Sequence, residues 1–247
     1  MLDNDRLARY AATFKKDASK EFDKAVMALI SLAWEKGDLS DNFLWEANPQ
    51  LDAEANAILR DLSDTLAEKA KERARVAVQE MLDFDEFDTA WDQTDGDDYD
   101  TILFRLDMQG SHLKDLLAIW IALAVVNNIG KSELRVLVLR YLNNPFTSPL
   151  WKRIPIDSLR WGRGYSRNVL EQLTLIGQNA IIGAVRFAEW MDASERGAKY
   201  YIRRRGSSYA CDECQELANK PIPIEVPFVI PHGRCMCYAE YFFDEIV

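Results

Sequence analysis

All four cysteines of this 247-residue chain, and one of its two histidines, lie between residues 211 and 247. Cys211 and Cys214 form a C-x2-C pair, and His232 and Cys235 form a second pair with the same spacing; Cys237 follows two residues later. Thiolate and imidazole ligands at this spacing suit a tetrahedral zinc ion. The sequence therefore predicts a small C-terminal lobe built around a structural Zn²⁺ site.

The cluster contains five candidate ligands for four positions, because Cys235 and Cys237 can replace His232 and Cys235 as the second pair. Two disulfides or unligated buried thiols are alternative interpretations. Disulfides require an oxidising compartment, yet the first residues, Met1 to Arg6, lack the basic and apolar regions of a secretory signal. A catalytic cysteine with His232 as its base is disfavoured, because no Asn or Asp is obviously placed to orient the histidine.

The composition predicts a folded protein with a sizeable core. Apolar residues make up 48% of the chain, including seven Trp and eleven Phe. The longest apolar run extends from Leu116 to Val126, which is shorter than the roughly 20 residues needed to span a bilayer. We therefore expect a buried core helix there and no membrane partner.

Charge is distributed unevenly along the chain. The net charge is −10, but residues 1–110 carry −13 and residues 111–247 carry +3. Arg203, Arg204 and Arg205 directly precede the cysteine cluster. Such a basic patch favours contact with nucleic acid or with an acidic partner. The alternative is that these arginines pair with the acidic half of the same fold.

Helical periodicity dominates the first two thirds of the sequence. Apolar residues recur at steps of three and four, which predicts amphipathic helices, the first two antiparallel. Gly177 and Gly183 indicate close packing of the last helix, and Asp192 is a candidate N-cap for a following short helix or turn. The predicted helices cover Leu2 to Lys36, Leu51 to Leu82, Ser111 to Asn128, Lys131 to Leu142 and Ser166 to Met191.

The C-terminal part favours β-structure. The stretch from Tyr200 to Ile202 is β-prone, and the proline-rich stretch from Pro221 to Pro231 favours an extended strand or loop. The predicted fold class is mainly α with a small C-terminal β-lobe (α+β), in which long amphipathic helices precede a Cys/His-rich, ribbon-like lobe. We place the domain boundary between an acidic, mainly helical region, 1–149, and a C-terminal domain, 150–247.

An acidic segment at residues 83–100 contains nine carboxylates interleaved with aromatic residues. With Gly96 at the sixth position of a calcium loop, Trp91 occupies the first position and Ile102 the last, where carboxylates are required. An EF-hand is therefore excluded. We expect a solvated acidic loop anchored by its aromatic side chains.

The order of residues in the C-terminal segment resembles the head-morphogenesis domain of tailed bacteriophages, the Mu F-like or SPP1 gene-7-like minor head proteins. That domain has a helix, an Arg-containing strand, Cys-x-x-Cys-x-x-Leu, a proline-containing strand and a closing His-Pro-x-Cys-Arg-Cys. Gly233 and Met236 depart from the usual Pro and Arg of the closing motif, and residues 1–150 are not covered. The matching residues are Arg203 to Arg205, Cys211-Asp-Glu-Cys214-Gln-Glu-Leu217, Pro221 to Ile224, and Pro231-His232-Gly-Arg-Cys235-Met-Cys237.

The resemblance implies a minor head protein of a tailed phage that acts at the portal vertex in head morphogenesis, and in DNA packaging or delivery. It implies a location in the virion head after assembly in the bacterial host cytoplasm. Portal protein, major coat protein and genomic DNA are the implied partners. The five Cys and His residues are implied to be a structural knot, with zinc as the metal and no catalytic role.

Two other classes of function remain open. A zinc-bearing nuclease or effector (toxin) module would use the same lobe with the arginine patch, and a zinc ribbon would bind nucleic acid directly. A thiolate-rich site is usually closed and structural, whereas a catalytic zinc keeps an open position. No catalytic motif is recognisable, so we expect no enzymatic activity.

Overall fold

The computed structural model describes residues 4–95, 101–141, 169–206, 212–230 and 236–244. These residues are mainly helical and carry a three-stranded antiparallel sheet near the C-terminus, which confirms the predicted α+β class. The helices are α1 (Asn4–Lys36), α2 (Pro49–Leu82), α3 (Phe87–Asp95), α4 (Ile102–Val126), α5 (Lys131–Tyr141), α6 (Val169–Glu195) and α7 (Asp212–Leu217), with a 3-10 turn at Trp45–Ala47. The strands are β1 (Tyr200–Arg204), β2 (Pro221–Pro223) and β3 (Tyr238–Phe242).

The chain divides into two compact units, each assembled from segments that are distant in sequence. Unit 1 consists of Met1–Lys16, Ala67–Ile102 and Leu175–Val247, and unit 2 consists of Asp17–Leu66 and Leu103–Thr174. The boundary predicted between residues 149 and 150 lies outside the described residues. The division into domains 1–149 and 150–247 therefore stays a prediction.

The junction between α1 and α2 follows from its local sequence. Gly37 ends α1 by donating its N–H to the carbonyl of Ala33 at 2.8 Å, and a Cβ at this position would lie 2.5 Å from that oxygen. Asn48 caps α2, because its Oδ1 accepts the N–H groups of Gln50 and Leu51 at 3.1 and 3.2 Å. Pro49 supplies the first helical residue, where a missing N–H costs nothing.

The predicted antiparallel pairing of α1 and α2 is confirmed at each end. In unit 1, Arg6 near the start of α1 forms an ion pair of 2.8 Å with Glu80 near the end of α2. In unit 2, Lys36 at the end of α1 forms one of 2.7 Å with Glu54 near the start of α2. Both pairs are substantially exposed, so they contribute little stability themselves and mainly report the direction of the helices.

Part of the acidic segment is helical, so the prediction of a loop is wrong for residues 87–95. The helix α3 buries Phe87, Ala90 and Trp91 on one face, at steps of three and four residues, and the preceding Phe84 is also buried. The predicted aromatic anchors are confirmed. Asp88 is exposed and lies 3.4 Å from Arg75 of α2. Residues 96–100 lie outside the described part of the chain.

The helix α4 is the one helix among the described residues that is long and apolar enough to cross a membrane by length and composition. Of its most apolar window, 56% is buried within the protein. Leu113, Leu117 and Trp120 are fully buried, as the interpretation of a core helix requires. The helix begins at Ile102, nine residues before its predicted start at Ser111.

A buried lysine ties α4 to the start of α2 within unit 2. The ammonium of Lys114 lies 2.6 Å from Asp52, 3.2 Å from Glu46 and 3.1 Å from the side-chain oxygen of Asn56. Its side chain is only 11% exposed. Burial alone lowers the pKa of Lys114, but the hydrogen bonds to the two carboxylates outweigh this effect and raise the pKa above its ordinary value.

Close packing of α6 is confirmed at both predicted glycines. A Cβ at Gly177 would overlap the ring of Phe14 in α1, and a Cβ at Gly183 would lie 2.6 Å from Thr94 of α3. The prediction that Asp192 is an N-cap is wrong, because α6 continues to Glu195. Asp192 instead forms an ion pair with Arg196, four residues later, at 3.1 Å.

Candidate functional site

The C-terminal lobe, residues 200–244, contains the predicted metal ligands. Its sheet has the strand order β2-β1-β3, with β1 antiparallel to both neighbours. Tyr201 in the middle of β1 lies opposite Ile222 of β2 and Tyr241 of β3. The first strand of the lobe is therefore central, and the segments with the cysteine pairs follow it.

Cys214 and Cys237 belong to one buried cluster. Cys214 lies in α7 and Cys237 directly precedes β3, and each is 3% exposed. The cluster also contains residues from α6 and the turn after it, from β1, from the chain after β2 and from β3: Ala193, Ala198, Tyr201, Ile224, Phe228 and Ala239. The structure thus brings Cys214 of the first pair and Cys237 of the alternative second pair into the same core.

The other three candidate ligands, Cys211, His232 and Cys235, lie outside the described residues. Within the part of the chain that the structure describes, no group of three or more Cys, His, Asp or Glu side chains could hold a metal ion. The chemistry of Cys214 and Cys237 fits a closed zinc site, because both are soft donors withdrawn from water. Zinc binding by the five candidates stays a prediction.

Two backbone segments approach each other closely next to Cys237. A Cβ at Gly206, two residues after β1, would overlap the backbone of Met236, which precedes Cys237. Only glycine permits this approach. The chain leaving β1 towards Cys211 and the chain entering β3 after Cys235 therefore run in contact at this point.

The three consecutive arginines have different roles. Arg203 is 3% exposed, points into the lobe, donates from Nη2 to the carbonyl of Val229 at 2.7 Å and stacks 4.3 Å from the ring centre of Phe228. Its Nε and Nη1 form no hydrogen bond with the described residues. A buried guanidinium in this position holds the lobe together and is not placed to contact an external partner.

Arg204 and Arg205 lie nearer to solvent. Arg204 pairs with Glu240 of β3 at 2.6 Å and donates to the side-chain oxygen of Asn219 at 2.7 Å. Arg205 is exposed. The predicted contact of the arginine run with an external partner is therefore limited to Arg205. Arg204 could take part only if its ion pair with Glu240 breaks.

A second buried polar group lies in unit 1 where α6 meets the lobe. Arg186 is 1% exposed, pairs with Glu189 at 2.8 Å and also donates to the side chain of Asn4. One turn further along, Trp190 donates from Nε1 to the carbonyl of Ile224 at 2.9 Å. The Trp190 hydrogen bond fixes the lobe to α6, and the Arg186 guanidinium also lies 6.0 Å from the ring centre of Tyr238 in β3. The sequence signal was an Arg and a Glu three residues apart within the mostly apolar stretch from Ala180 to Trp190.

Tyr241 of β3 lies near this ion pair. Burial raises the pKa of the Tyr241 hydroxyl far above its ordinary value, and the negative charge of Glu189 raises it further. This hydroxyl is buried and has no hydrogen-bond partner among the described residues. Burial also raises the pKa of Tyr201, whose hydroxyl donates to the carbonyl of Pro227 at 3.4 Å. Both hydroxyls remain protonated and do not serve as bases at neutral pH.

No protein-family model, curated protein sequence or solved structure matches the chain. The evidence for a function therefore comes from the residues of the lobe and from their order in the sequence.

Proposed function

We propose that the protein is a minor head protein of a tailed bacteriophage, which acts at the portal vertex during head morphogenesis. The observation that carries this proposal is the ordered motif between Arg203 and Cys237. Its proline-containing segment contains β2, and β3 directly follows its last cysteine; these two strands lie on either side of β1. The proposal includes assembly in the bacterial host cytoplasm, location in the virion head, and contacts with portal or major coat protein.

The described part of the lobe supports a structural role. Cys214, Cys237 and Arg203 are each about 3% exposed, so they contribute to the interior of the lobe. A closed thiolate site of this kind contributes folding free energy. We therefore propose that zinc, held by four of Cys211, Cys214, His232, Cys235 and Cys237, maintains the fold of an assembly module and takes no part in a reaction.

Contact with genomic DNA is a narrower part of the proposal. Arg205 is the exposed member of the arginine run, and one guanidinium supplies limited affinity for phosphate. The net charge of −10 further opposes strong general DNA binding. Packaging or delivery of DNA would accordingly involve this protein through its protein partners more than through direct binding.

The assembly role is tested by the composition of phage particles. Purified heads produced by the source strain are expected to contain peptides of this chain at low copy number relative to coat protein. A strain with the gene interrupted is expected to accumulate defective or empty heads, and plasmid expression of the chain should restore filled heads. Normal yields of infectious particles without the protein would contradict the role.

The metal is tested separately by native mass spectrometry of the reduced protein. One zinc ion per chain is expected, and Cys214→Ser should lose both zinc and thermal stability. Ala198→Ser is the matched control, because it places a hydroxyl in the same buried cluster without removing a ligand. Equal zinc content in both variants would show that Cys214 is not a ligand.

A further inference from the structure

Unit 2 contains an open apolar groove of about 510 Å³ that none of the predicted functions uses. This volume lies within the roughly 300–1,000 Å³ of typical ligand sites. One wall is the segment from Asp41 to Glu46, which includes the start of the 3-10 turn, and the other wall is α4. The groove therefore lies between a short connecting segment and a long rigid helix.

The α4 wall is a single helical stripe. Its residues follow one another at steps of three, one, three, one and three, which places them on one face of the helix. The stripe is about 16 Å long at 1.5 Å per residue, and all its members after the first are apolar. They are Asp115, Ala118, Ile119, Ala122, Leu123 and Val126.

The groove has a buried floor and exposed apolar edges. Phe43 and Trp45 are 4% and 1% exposed, and their rings pack edge to face at 5.1 Å. Leu44 on one edge is 59% exposed, and Val126 on the other is 65% exposed. The ring nitrogen of Trp45 donates to the carbonyl of Lys114 at 3.0 Å, which fixes the floor against α4. The groove is thus preformed, and its exposed edges present apolar surface to water.

The charges at the groove are negative. Asp41, Glu46 and Asp115 line it, and no described lining residue is basic. The ammonium of Lys114 pairs with Glu46 and Asp52, but it is largely withdrawn from solvent and leaves Asp41 and Asp115 without a basic neighbour in the groove lining. Burial, and then repulsion from Glu46, raise the pKa of Asp115. An added cation at the groove would relieve this unfavourable carboxylate environment.

We propose that this groove binds a peptide segment of a partner protein that presents large apolar side chains flanked by lysine or arginine. A helical segment of about three turns matches the length of the α4 stripe. Its apolar side chains would cover Leu44 and Val126, and its basic residues would face Asp41, Glu46 and Asp115. The carboxylates disfavour anionic lipid and nucleic acid at this site. The inference does not depend on the assembly role or on zinc.

The experiment measures fluorescence anisotropy of a labelled amphipathic peptide, with leucines on one helical face and lysines on the other, against the full-length protein. Saturable binding that weakens with added salt is expected. Two companion peptides, one with glutamate in place of each lysine and one with serine in place of each leucine, are expected not to bind. Equal binding of the glutamate peptide would overturn the proposal.

Two exposed valines provide a matched pair of variants. Val126 lies at the groove, whereas Val136 lies on α5 of the same unit with a similar exposure of 63%. Val126→Lys should weaken peptide binding about tenfold or more, and Val136→Lys should leave it unchanged although it adds the same charge. An equal loss of peptide affinity in the two variants would mean that the peptide does not bind at the groove.

A space-filling variant and two further assays distinguish other occupants. Ala122→Trp should block the groove and abolish peptide binding while the melting temperature is retained. Dimerisation that Val126→Lys abolishes, seen by sedimentation without peptide binding, would overturn the proposal in favour of a second copy of this chain. Binding to phosphatidylcholine vesicles that Val126→Lys abolishes would overturn it in favour of lipid.

Discussion

The interface between α6 and the C-terminal lobe contains a few buried polar groups. Arg186 is paired with Glu189 and contacts Asn4, whereas the hydroxyl of Tyr241 has no acceptor among the described residues. An unsatisfied buried hydroxyl costs free energy, while its deprotonation beside Glu189 would cost more. The ionisation of this tyrosine is therefore coupled to the stability of the lobe.

Alkaline pH is expected to destabilise the protein through Tyr241. Because its folded-state pKa is raised, the unfolded chain loses this proton first, so the contribution of Tyr241 is constant below about pH 10 and is lost as the pH rises above it. Tyr241→Phe should change the free energy of unfolding by less than about 1 kcal/mol at pH 7. Above pH 10 it should flatten the fall in stability, as measured by denaturant unfolding.

Tyr200→Phe is the control for the alkaline experiment. Tyr200 lies on the neighbouring strand, is only half-buried and stacks on Phe242 at 4.9 Å. Its substitution should leave the alkaline decline as steep as in the wild type. The same flattening in both variants would mean that the decline has another origin than the buried hydroxyl of Tyr241.

Among the helices, α4 connects the core and the surface of unit 2. One set of its residues is fully buried, another lines the apolar groove, and Lys114 links it to Asp52 and Glu46. A cation that is mostly withdrawn from water is tolerated only because these partners are present. The position of α4 against α2 therefore depends on this lysine more than on any exposed ion pair.

Replacing Lys114 by Met is expected to destabilise the protein by about 1–3 kcal/mol, because it leaves Asp52 without its cation. Lys36→Met is the matched control, since Lys36 also forms an ion pair of 2.7 Å, with Glu54, but its side chain is 52% exposed. The control should cost less than about 1 kcal/mol. Chemical denaturation measures both, and similar losses would contradict a special role for Lys114.

Helical periodicity predicted five of the helices well, because a buried face repeats along the chain whatever the neighbouring elements are. The helix α3 was not predicted, because its many carboxylates outnumber the few apolar residues of its short buried face. The N-cap prediction for Asp192 failed because its partner Arg196 lies after the last residue of the apolar repeat. The strand Tyr238–Phe242 was not predicted, although it is rich in aromatic residues, because its pairing with β1 is set by distant residues.

The candidate sites were predictable only in part. The cysteine cluster was evident from spacing alone, but the burial of Arg203 depends on the position of Phe228 and Val229 after folding. The sequence does not predict the groove, because an apolar run such as Leu116 to Val126 is expected of any core helix. The second wall of the groove is the segment from Asp41 to Glu46, which is too short to show a periodic pattern.

Taken as a whole molecule, the chain combines a helical majority with one small lobe that has few strands and short ones. Such a lobe buries little apolar surface and benefits from a metal or another cross-link. Trp190 and Arg203 form hydrogen bonds to its backbone, and Cys214 and Cys237 lie in its buried core. Removal of the zinc that we propose should consequently affect this lobe before the helices of unit 2.

Hydrogen exchange with and without a zinc chelator tests this expectation. Amides of residues 200–204 and 238–242 should lose protection when zinc is removed, whereas those of residues 106–121 in α4 should keep it. Cys214→Ser should reproduce the pattern without chelator. A uniform loss of protection along the chain, or none, would contradict a metal effect confined to the lobe.

The strand order β2-β1-β3 also bears on the time course of folding. Helical contacts join residues three or four positions apart, so α1, α2 and α4 can form soon after folding begins. In contrast, β1 acquires its edge partners only when Tyr201 meets Ile222 and Tyr241, and each of these encounters closes a long loop. Sequence separation of this kind slows folding. The sheet is thus expected to form after the individual helices, so Cys214 and Cys237 become buried only once it has formed.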